Sequence, residues 1–339
     1  MNSCLVVSLN GSTRTLNPLP KQEFFYGPYI AAELTISILS ASGNLLVCIA
    51  VGRNKKLRTV TNYFLVSLAA ADFFVGTLAI PCAIMSDLGF PHNNIDLCTA
   101  IVFMLIMLTQ TSVFSLLAIA IERYVAILFP FHYQSLLKPR NARLVIVLTW
   151  LLSFLLSLVP LQGFQNRFRH ITYCFFPCVV DMTFMVYFNF FGCVLIPLLV
   201  MFFIYAHIFI TVRRQVRRIA AVHNALEVQT RQTSAMRREA KKATSIFLII
   251  FLFVLCWMPI HVLNCLEQFC PQCTVPLPII LTAVILSHAN SAINPLLYAY
   301  RMKSFRQAFK GMFFCCRSTP TILDTTDSNG TSKKNMNVR

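Results

Sequence analysis

The chain has 339 residues, of which 57% are hydrophobic and only 12% charged, with a mean hydropathy of +0.66 and a formal net charge of +17. A soluble domain carries about twice that share of charge, so a soluble fold is excluded and the bilayer becomes the relevant solvent. The basic residues lie in short loops beside apolar runs, which argues for a topology signal and against nucleic-acid binding.

Gaps between charged residues place the spans, because a helix needs roughly 20 mostly apolar residues to cross the hydrocarbon core. Helix 1 is predicted at about 28–52 and helix 2 at about 61–85, interrupted only by Asp72. Helix 3 follows at 96–128, helix 4 at 142–164, helix 5 at 182–212, helix 6 at 238–266 and helix 7 at 276–300. A short amphipathic helix is expected at about 302–313, with Phe305, Phe309 and Phe313 on one face and basic residues opposite. Strand alternation is absent, which excludes a transmembrane barrel. The expected fold is an all-α membrane protein: a seven-transmembrane-helix bundle with a short amphipathic C-terminal helix. Residues 1–25 form an N-terminal tail, 26–315 the membrane domain, and 316–339 a polar tail with no apolar face, expected to be disordered.

Of the 29 basic residues, 25 fall after helix 1, between helices 3 and 4, between helices 5 and 6, or after Tyr300. The positive-inside rule makes that side cytoplasmic and the N-terminus extracellular. The first 25 residues lack the pattern of a cleavable signal peptide, so helix 1 is expected to serve as the insertion signal. Asn10-Gly-Ser is then a glycosylation acceptor on the outer side. Cys98, at the outer start of helix 3, and Cys174, in the second outer loop, face an oxidising compartment, and a bridge between them is expected. Cys270-Pro-Gln-Cys273 admits a zinc or redox reading, but no second ligand pair follows, and a small loop disulfide is the better account. Cys315 and Cys316 follow a basic amphipathic stretch and are palmitoylation candidates.

Helix 7 carries Ser287, Ser291, Asn294 and Tyr298 along one helical stripe. Unsatisfied polar groups in hydrocarbon are costly, so the stripe should face other helices. Pro295 should bend the helix there. Interhelical hydrogen bonding alone would account for such a stripe. Two features ask for more. Asp72 is a charge in mid-span, with Ser112, Asn290 and Ser291 as available partners. An oxygen-rich pocket there would hold a small cation such as Na⁺; a neutral Asp in a hydrogen-bonded network is the alternative. Glu33 in the outer half of helix 1 and His288 in the outer half of helix 7 could pair, and facing each other they would form part of a cavity.

These pieces occur in an order that resembles the rhodopsin-like (class A) G-protein-coupled receptors: "SGNLLV", "SLAAADFFVG", "IERYVAI", Trp150, Pro197, "CWMP" and "NPLLY", one on each of seven spans. The resemblance implies a plasma-membrane receptor, not an enzyme, in which helix 6 swings outward on its inner side and a heterotrimeric G protein docks. It assigns an activation switch to Glu122, Arg123 and Tyr124, with Glu239 a further partner, to Trp257, and to Asn294, Pro295 and Tyr298. Glu122 stands where Asp is usual. Leu105 occupies the position where amine receptors carry a carboxylate, which disfavours a biogenic amine.

"MLTQTSVFSLLAIAIERY", "MVYFNFF", "CWMPIHVLNC", "CPQC" and "LSHANSAINP" are similar to the adenosine receptors. By that similarity Asn264 would grip the adenine edge, Phe176 would stack on the ring, and Ser287 and His288 would bond the ribose hydroxyls. Thr109 would lie at the ribose end, Glu33 would orient His288, and Ile106, Met185, Asn189, Trp257, Ile260, His261 and Ile280 would line the pocket. Pro177 departs from the pattern, because many adenosine receptors place Glu there to meet the exocyclic amine. The implied ligand is extracellular adenosine or a related purine nucleoside, with altered cAMP as output. A receptor of the same architecture for another small ligand is the alternative. A transporter or retinal-type pump is disfavoured by the absence of internal repeats and of any Lys between 268 and 300. No cofactor is implied beyond the Na⁺ at Asp72.

Overall fold

A computed structural model describes residues 23–88, 90–91, 94–161, 174, 180–221, 227–270 and 272–314, with the side chains at 23–25, 95, 134, 136, 161, 215–246 and 313–314 outside the description. Seven helices are long and apolar enough to cross a membrane: Tyr26–Arg53, Val60–Asp87, Asp96–Leu128, Pro139–Leu158, Phe184–Arg214, Phe247–Phe269 and Leu277–Arg301, helices 1 to 7 in chain order. Among the described residues every regular element is helical. The bundle has a basic end, where helices 1, 3, 5 and 7 finish, and an opposite disulfide end.

The largest difference from the sequence reading is in helix 6, which starts at Glu227 and not near 238. A charge gap marks the edge of the membrane, not the end of a helix. The segment "EVQTRQTSAMRREAKKA" is rich in strong helix formers, so it stays helical beyond the apolar span. Likewise helix 5 continues to Ala221, which shortens the expected basic loop.

Helix 3 is the most buried span and helix 4 the least. Helix 3 packs against helices 2, 4, 5 and 6, while helix 4 shows Leu144, Val147, Leu148, Leu151 and Leu155 to the outside. Such exposed apolar faces are what lipid solvates. Leu65, Leu68, Leu116, Ile119, Met201, Phe253 and Tyr298 fill the centre at the basic half.

Two close approaches set the placement of helix 1. A Cβ on Gly76 would lie 2.7 Å from Ala41 N and 2.8 Å from Ser37 O, so only glycine allows this contact with helix 2. Ser37 Oγ donates to Gly76 O at 2.6 Å and Ser40 Oγ to Asp72 O at 2.8 Å across the same seam. Gly43 in turn accommodates the Pro295 ring, and Asn44 Nδ2 donates to Ser291 O at 2.9 Å. Wide π-type turns occupy Val75–Ala79 in helix 2 and Phe184–Leu195 in helix 5. Each ends two residues before a proline, Pro81 or Pro197, whose missing N–H already interrupts the α ladder. These turns re-aim the disulfide-end halves of both helices.

The amphipathic helix runs Lys303–Phe314 and packs on helices 1 and 7. Phe305 is buried, with its ring 5.6 Å from Tyr298 and 6.0 Å from Phe309.

Candidate ligand-binding site and the polar core beneath it

At the disulfide end Cys98 is bonded to Cys174, and Ser86 Oγ donates to Cys174 O at 2.6 Å. Ile106 and Met185 pack against this bridge. One turn further along helix 3, Gln110 Nε2 donates to Asn189 Oδ1 at 2.5 Å, tying helix 3 to helix 5. The next residue, Phe190, stacks on His261 at 4.6 Å between centroids, and His261 stacks on Trp257 at 6.0 Å. Helices 3, 5 and 6 therefore converge on one group of side chains.

That group is incompletely bonded. His261 is buried with neither ring nitrogen hydrogen-bonded, and Gln110 Oε1 and Trp257 Nε1 are also buried without partners. Each such group costs about 1–3 kcal/mol while unpaired. Ile260 and Asn264, four residues apart on helix 6, share one face and are half-buried. The Asn264 amide bonds no described residue. Thr109 is half-buried, its hydroxyl donating to Leu105 O at 2.9 Å.

Helices 1 and 7 contribute the ionisable pair. Glu33 is fully buried, and its Oε2 lies 2.7 Å from His288 Nδ1 while its Oε1 has no partner. A neutral imidazole donating through Nδ1 leaves Nε2 as an acceptor. Ser287 Oγ donates to Val284 O at 2.7 Å, so its free capacity is as an acceptor too. Ile280, expected to line the pocket, is 37% exposed, close to the start of helix 7. Phe176 and Pro177 lie outside the described residues, as do Asn10, Cys315 and Cys316.

Asp72 is fully buried and fully bonded. Its Oδ1 accepts from Ser291 Oγ at 2.9 Å and Ser112 Oγ at 3.4 Å, and its Oδ2 accepts from Asn294 Nδ2 at 2.7 Å. The side-chain amide on Asp72 thus belongs to Asn294 and not to Asn290. Asn294 lies three residues from Ser291 on the polar stripe, whereas Asn290 is turned about 100° away from Ser291. All four stripe residues, Ser287, Ser291, Asn294 and Tyr298, are buried.

At the basic end Arg123 and Glu122 form a buried ion pair, with Nε–Oε2 at 2.6 Å and Nη2–Oε1 at 2.5 Å. Thr61 bonds both partners, accepting from Arg123 and donating to Glu122 Oε1 at 3.0 Å. Tyr133, on the short helix Pro130–Leu136, donates to Glu122 Oε1 at 2.6 Å. Burial, together with the Glu122 carboxylate, pushes the Tyr133 phenol above its ordinary range, so it remains a donor. Tyr124 does not join this pair; it meets His207 of helix 5, OH to Nδ1, at 3.1 Å. Successive helical residues diverge by about 100°, which separates it from Arg123. The Glu239 side chain is outside the description.

The sequence matches the family profile "7 transmembrane receptor (rhodopsin family)" over residues 43–298. The chain belongs to this receptor family. Among curated relatives, adenosine receptor A2a of Homo sapiens is 44% identical over 299 residues, covering 83% of this chain and 71% of the relative. Adenosine receptor A2b of Gallus gallus is 41% identical over 324 residues, covering 89% and 93%. Adenosine receptor A2b of Homo sapiens is 43% identical over 300 residues, covering 83% and 88%. These relatives are receptors and not enzymes, and so is this chain.

Four receptor residues with evident structural roles escape a sequence reading. Gln110, Thr61, Tyr133 and Asn44 are neutral, and neutral polar residues in spans often bond only their own helix. Thr111 with Met107 O and Ser153 with Thr149 O, both at 2.8 Å, are examples. Spacing offers no signal that separates the two kinds. Asp87 had a signal, being a second acid at the end of a span; it accepts from Tyr29 OH at 2.5 Å beside the Glu33 turn.

Proposed function

We propose that the receptor binds extracellular adenosine or a related purine nucleoside at the disulfide end. Binding is passed to a heterotrimeric G protein at the basic end by outward movement of helix 6, and cAMP changes. The observation that carries this reading is the set of unpaired groups on helices 1, 3 and 6: Glu33 Oε1, Gln110 Oε1, both nitrogens of His261 and the Asn264 amide. A flat heterocycle joined to a sugar supplies the donors and acceptors they lack. The Asn264 amide offers one donor and one acceptor to a purine edge. His288, oriented by Glu33, takes a ribose hydroxyl, with Ser287 beside it and Thr109 deeper. Phe176 stacks on the base. The adenosine receptors among its relatives favour the same ligand.

The distribution of basic residues supports a plasma-membrane orientation with the disulfide end outside. Asn10 is then the glycan acceptor, and Cys315 with Cys316 carry palmitate. Arg123, held by Glu122, Thr61 and Tyr133, is withheld from a partner until that cluster opens. Trp257, stacked at 5.9 Å on Phe253, links the ligand group to the core through which helix 6 turns.

Na⁺ fits at Asp72 as an allosteric ion. Asp72, Ser112 and Ser291 offer oxygens, and Asn290 lies beside them; Asn294 presents its nitrogen and would have to turn. The ion would neutralise the buried carboxylate while Asp72 and its hydroxyl partners keep their places. Raising Na⁺ should then change agonist affinity in wild type and not in Asp72→Asn.

One observation favours a second reading. Pro177 has no side-chain acceptor for an exocyclic amine, so a nucleoside without that amine loses less here. The test is cAMP in cells expressing the chain, with adenosine and inosine compared. Adenosine should change cAMP in wild type and fail in Asn264→Ala. Silence to adenosine with a response to inosine selects the second reading, and silence to both across G-protein assays removes the nucleoside claim.

A further inference from the structure

Helix 6 reaches the disulfide end with an acid in its last turn. Glu267 is the only charged residue between Lys242 and Arg301, and the helix stops at Phe269. A carboxylate there meets the negative end of the helix dipole, which disfavours it. No basic residue shares the turn, and the described residues of the disulfide end include no Lys or Arg. Glu267 is nonetheless half-buried, and its carboxylate bonds no described residue.

The neighbours of Glu267 fix the face it occupies. At about 100° per residue, Leu255, Val262, Leu266 and Phe269 share a sector of helix 6 about 60° wide. All four are exposed, and Phe269 meets Tyr187 of helix 5 edge-on at 5.8 Å. That sector therefore faces lipid and the rim of helix 5. Ile260, Asn264 and Glu267 share a second sector about 60° wide on the opposite side. Glu267 stands about 4.5 Å beyond Asn264 along the axis, and helix side chains tilt toward the N-terminus, so the carboxylate leans back toward the Asn264 amide.

The exocyclic amine of adenine carries two N–H groups. Asn264, with one donor and one acceptor for the purine edge, serves a ring nitrogen and one of these N–H groups. The other is left over. With the ribose held deeper by His288, Ser287 and Thr109, the amine lies on the outer side of the base, where Glu267 stands. We infer that Glu267 accepts the second N–H of the exocyclic amine and selects nucleosides that carry this amine. Helix 6 thereby supplies the acceptor that the Pro177 side chain lacks. The unfavourable place of the acid in the helix is offset when a donor meets it. This role rests on the nucleoside reading of the same site.

The test is competition of adenosine and of purine riboside, which lacks the amine, against labelled adenosine on the full-length receptor. In wild type adenosine should bind at least about thirtyfold more tightly than purine riboside, since one neutral and one charged hydrogen bond are lost. Glu267→Met keeps the length of the side chain and removes the acceptor. It should weaken adenosine about tenfold and leave purine riboside within about twofold. Glu267→Gln keeps a neutral acceptor, and the gap should narrow by only about threefold. Should Glu267→Met fail to fold, Glu267→Gln carries the test, and a gap equal to wild type overturns the inference. Equal weakening of both nucleosides in Glu267→Met assigns the carboxylate to the frame of the outer end and overturns it. So does an unchanged gap. In these cases adenosine binding that saturates in wild type and fails in Asn264→Ala leaves the nucleoside reading standing. Absence of saturable adenosine binding to wild type overturns both.

Discussion

Around Asp72 both carboxylate oxygens are bonded, by Ser112, Ser291 and Asn294; at the disulfide end His261, Gln110 Oε1 and Glu33 Oε1 are left with unpaired atoms. Both clusters are buried inside one bundle and both draw on helix 3, so burial does not separate them. Completeness does. A network that satisfies itself in a low-dielectric interior rigidifies the packing, whereas an unpaired buried group costs free energy that a partner can recover. The Asp72 carboxylate, with Ser40 donating to the Asp72 backbone carbonyl, therefore reads as structural core, while Asn44 Oδ1 and Tyr298 OH nearby are left without partners. The disulfide-end cluster reads as a receiving site.

Substitutions should break this contrast unequally. Asn264→Ala removes a donor and an acceptor meant for the ligand, and adenosine affinity should fall roughly a hundredfold in a binding assay while the unfolding temperature stays near wild type. Gly76→Ala acts on the frame: its Cβ meets helix 1 backbone below 3 Å, and unfolding in detergent should show a loss of about 1–3 kcal/mol with ligand affinity little changed in the folded fraction. Tyr133→Phe removes one of the bonds on Glu122, worth about 1 kcal/mol. Basal cAMP signalling should move by at most about fivefold, with no change in antagonist affinity. An equal effect of Asn264→Ala and Gly76→Ala on stability would erase the contrast.

The spans were legible because charge is so costly in hydrocarbon that its absence draws their edges. The same cost made Asp72, Glu33 and His288 stand out, and the structure brings Glu33 to His288 across 255 positions. The start of helix 6 was not legible, since a charged stretch such as "RREAKK" is compatible with helix and loop alike. Gln110 and Thr61 were hidden for a different reason: a neutral amide or hydroxyl can satisfy itself locally, so its long-range partner depends on packing that no local pattern encodes. Asn290 and Asn294 show how fine the distinction is. Both are asparagines on helix 7 near Ser291, and only Asn294 bonds Asp72.

The most direct test is equilibrium binding of labelled adenosine to the purified receptor, in competition with 2′,3′-dideoxyadenosine, in wild type and His288→Ala. The account predicts saturable binding, with the dideoxy analogue at least about tenfold weaker in wild type and the gap mostly closed in His288→Ala, since the lost hydroxyls and the lost imidazole are the two ends of one interaction. Saturable binding with the two nucleosides equal in wild type, or a gap that survives His288→Ala unchanged, would contradict it.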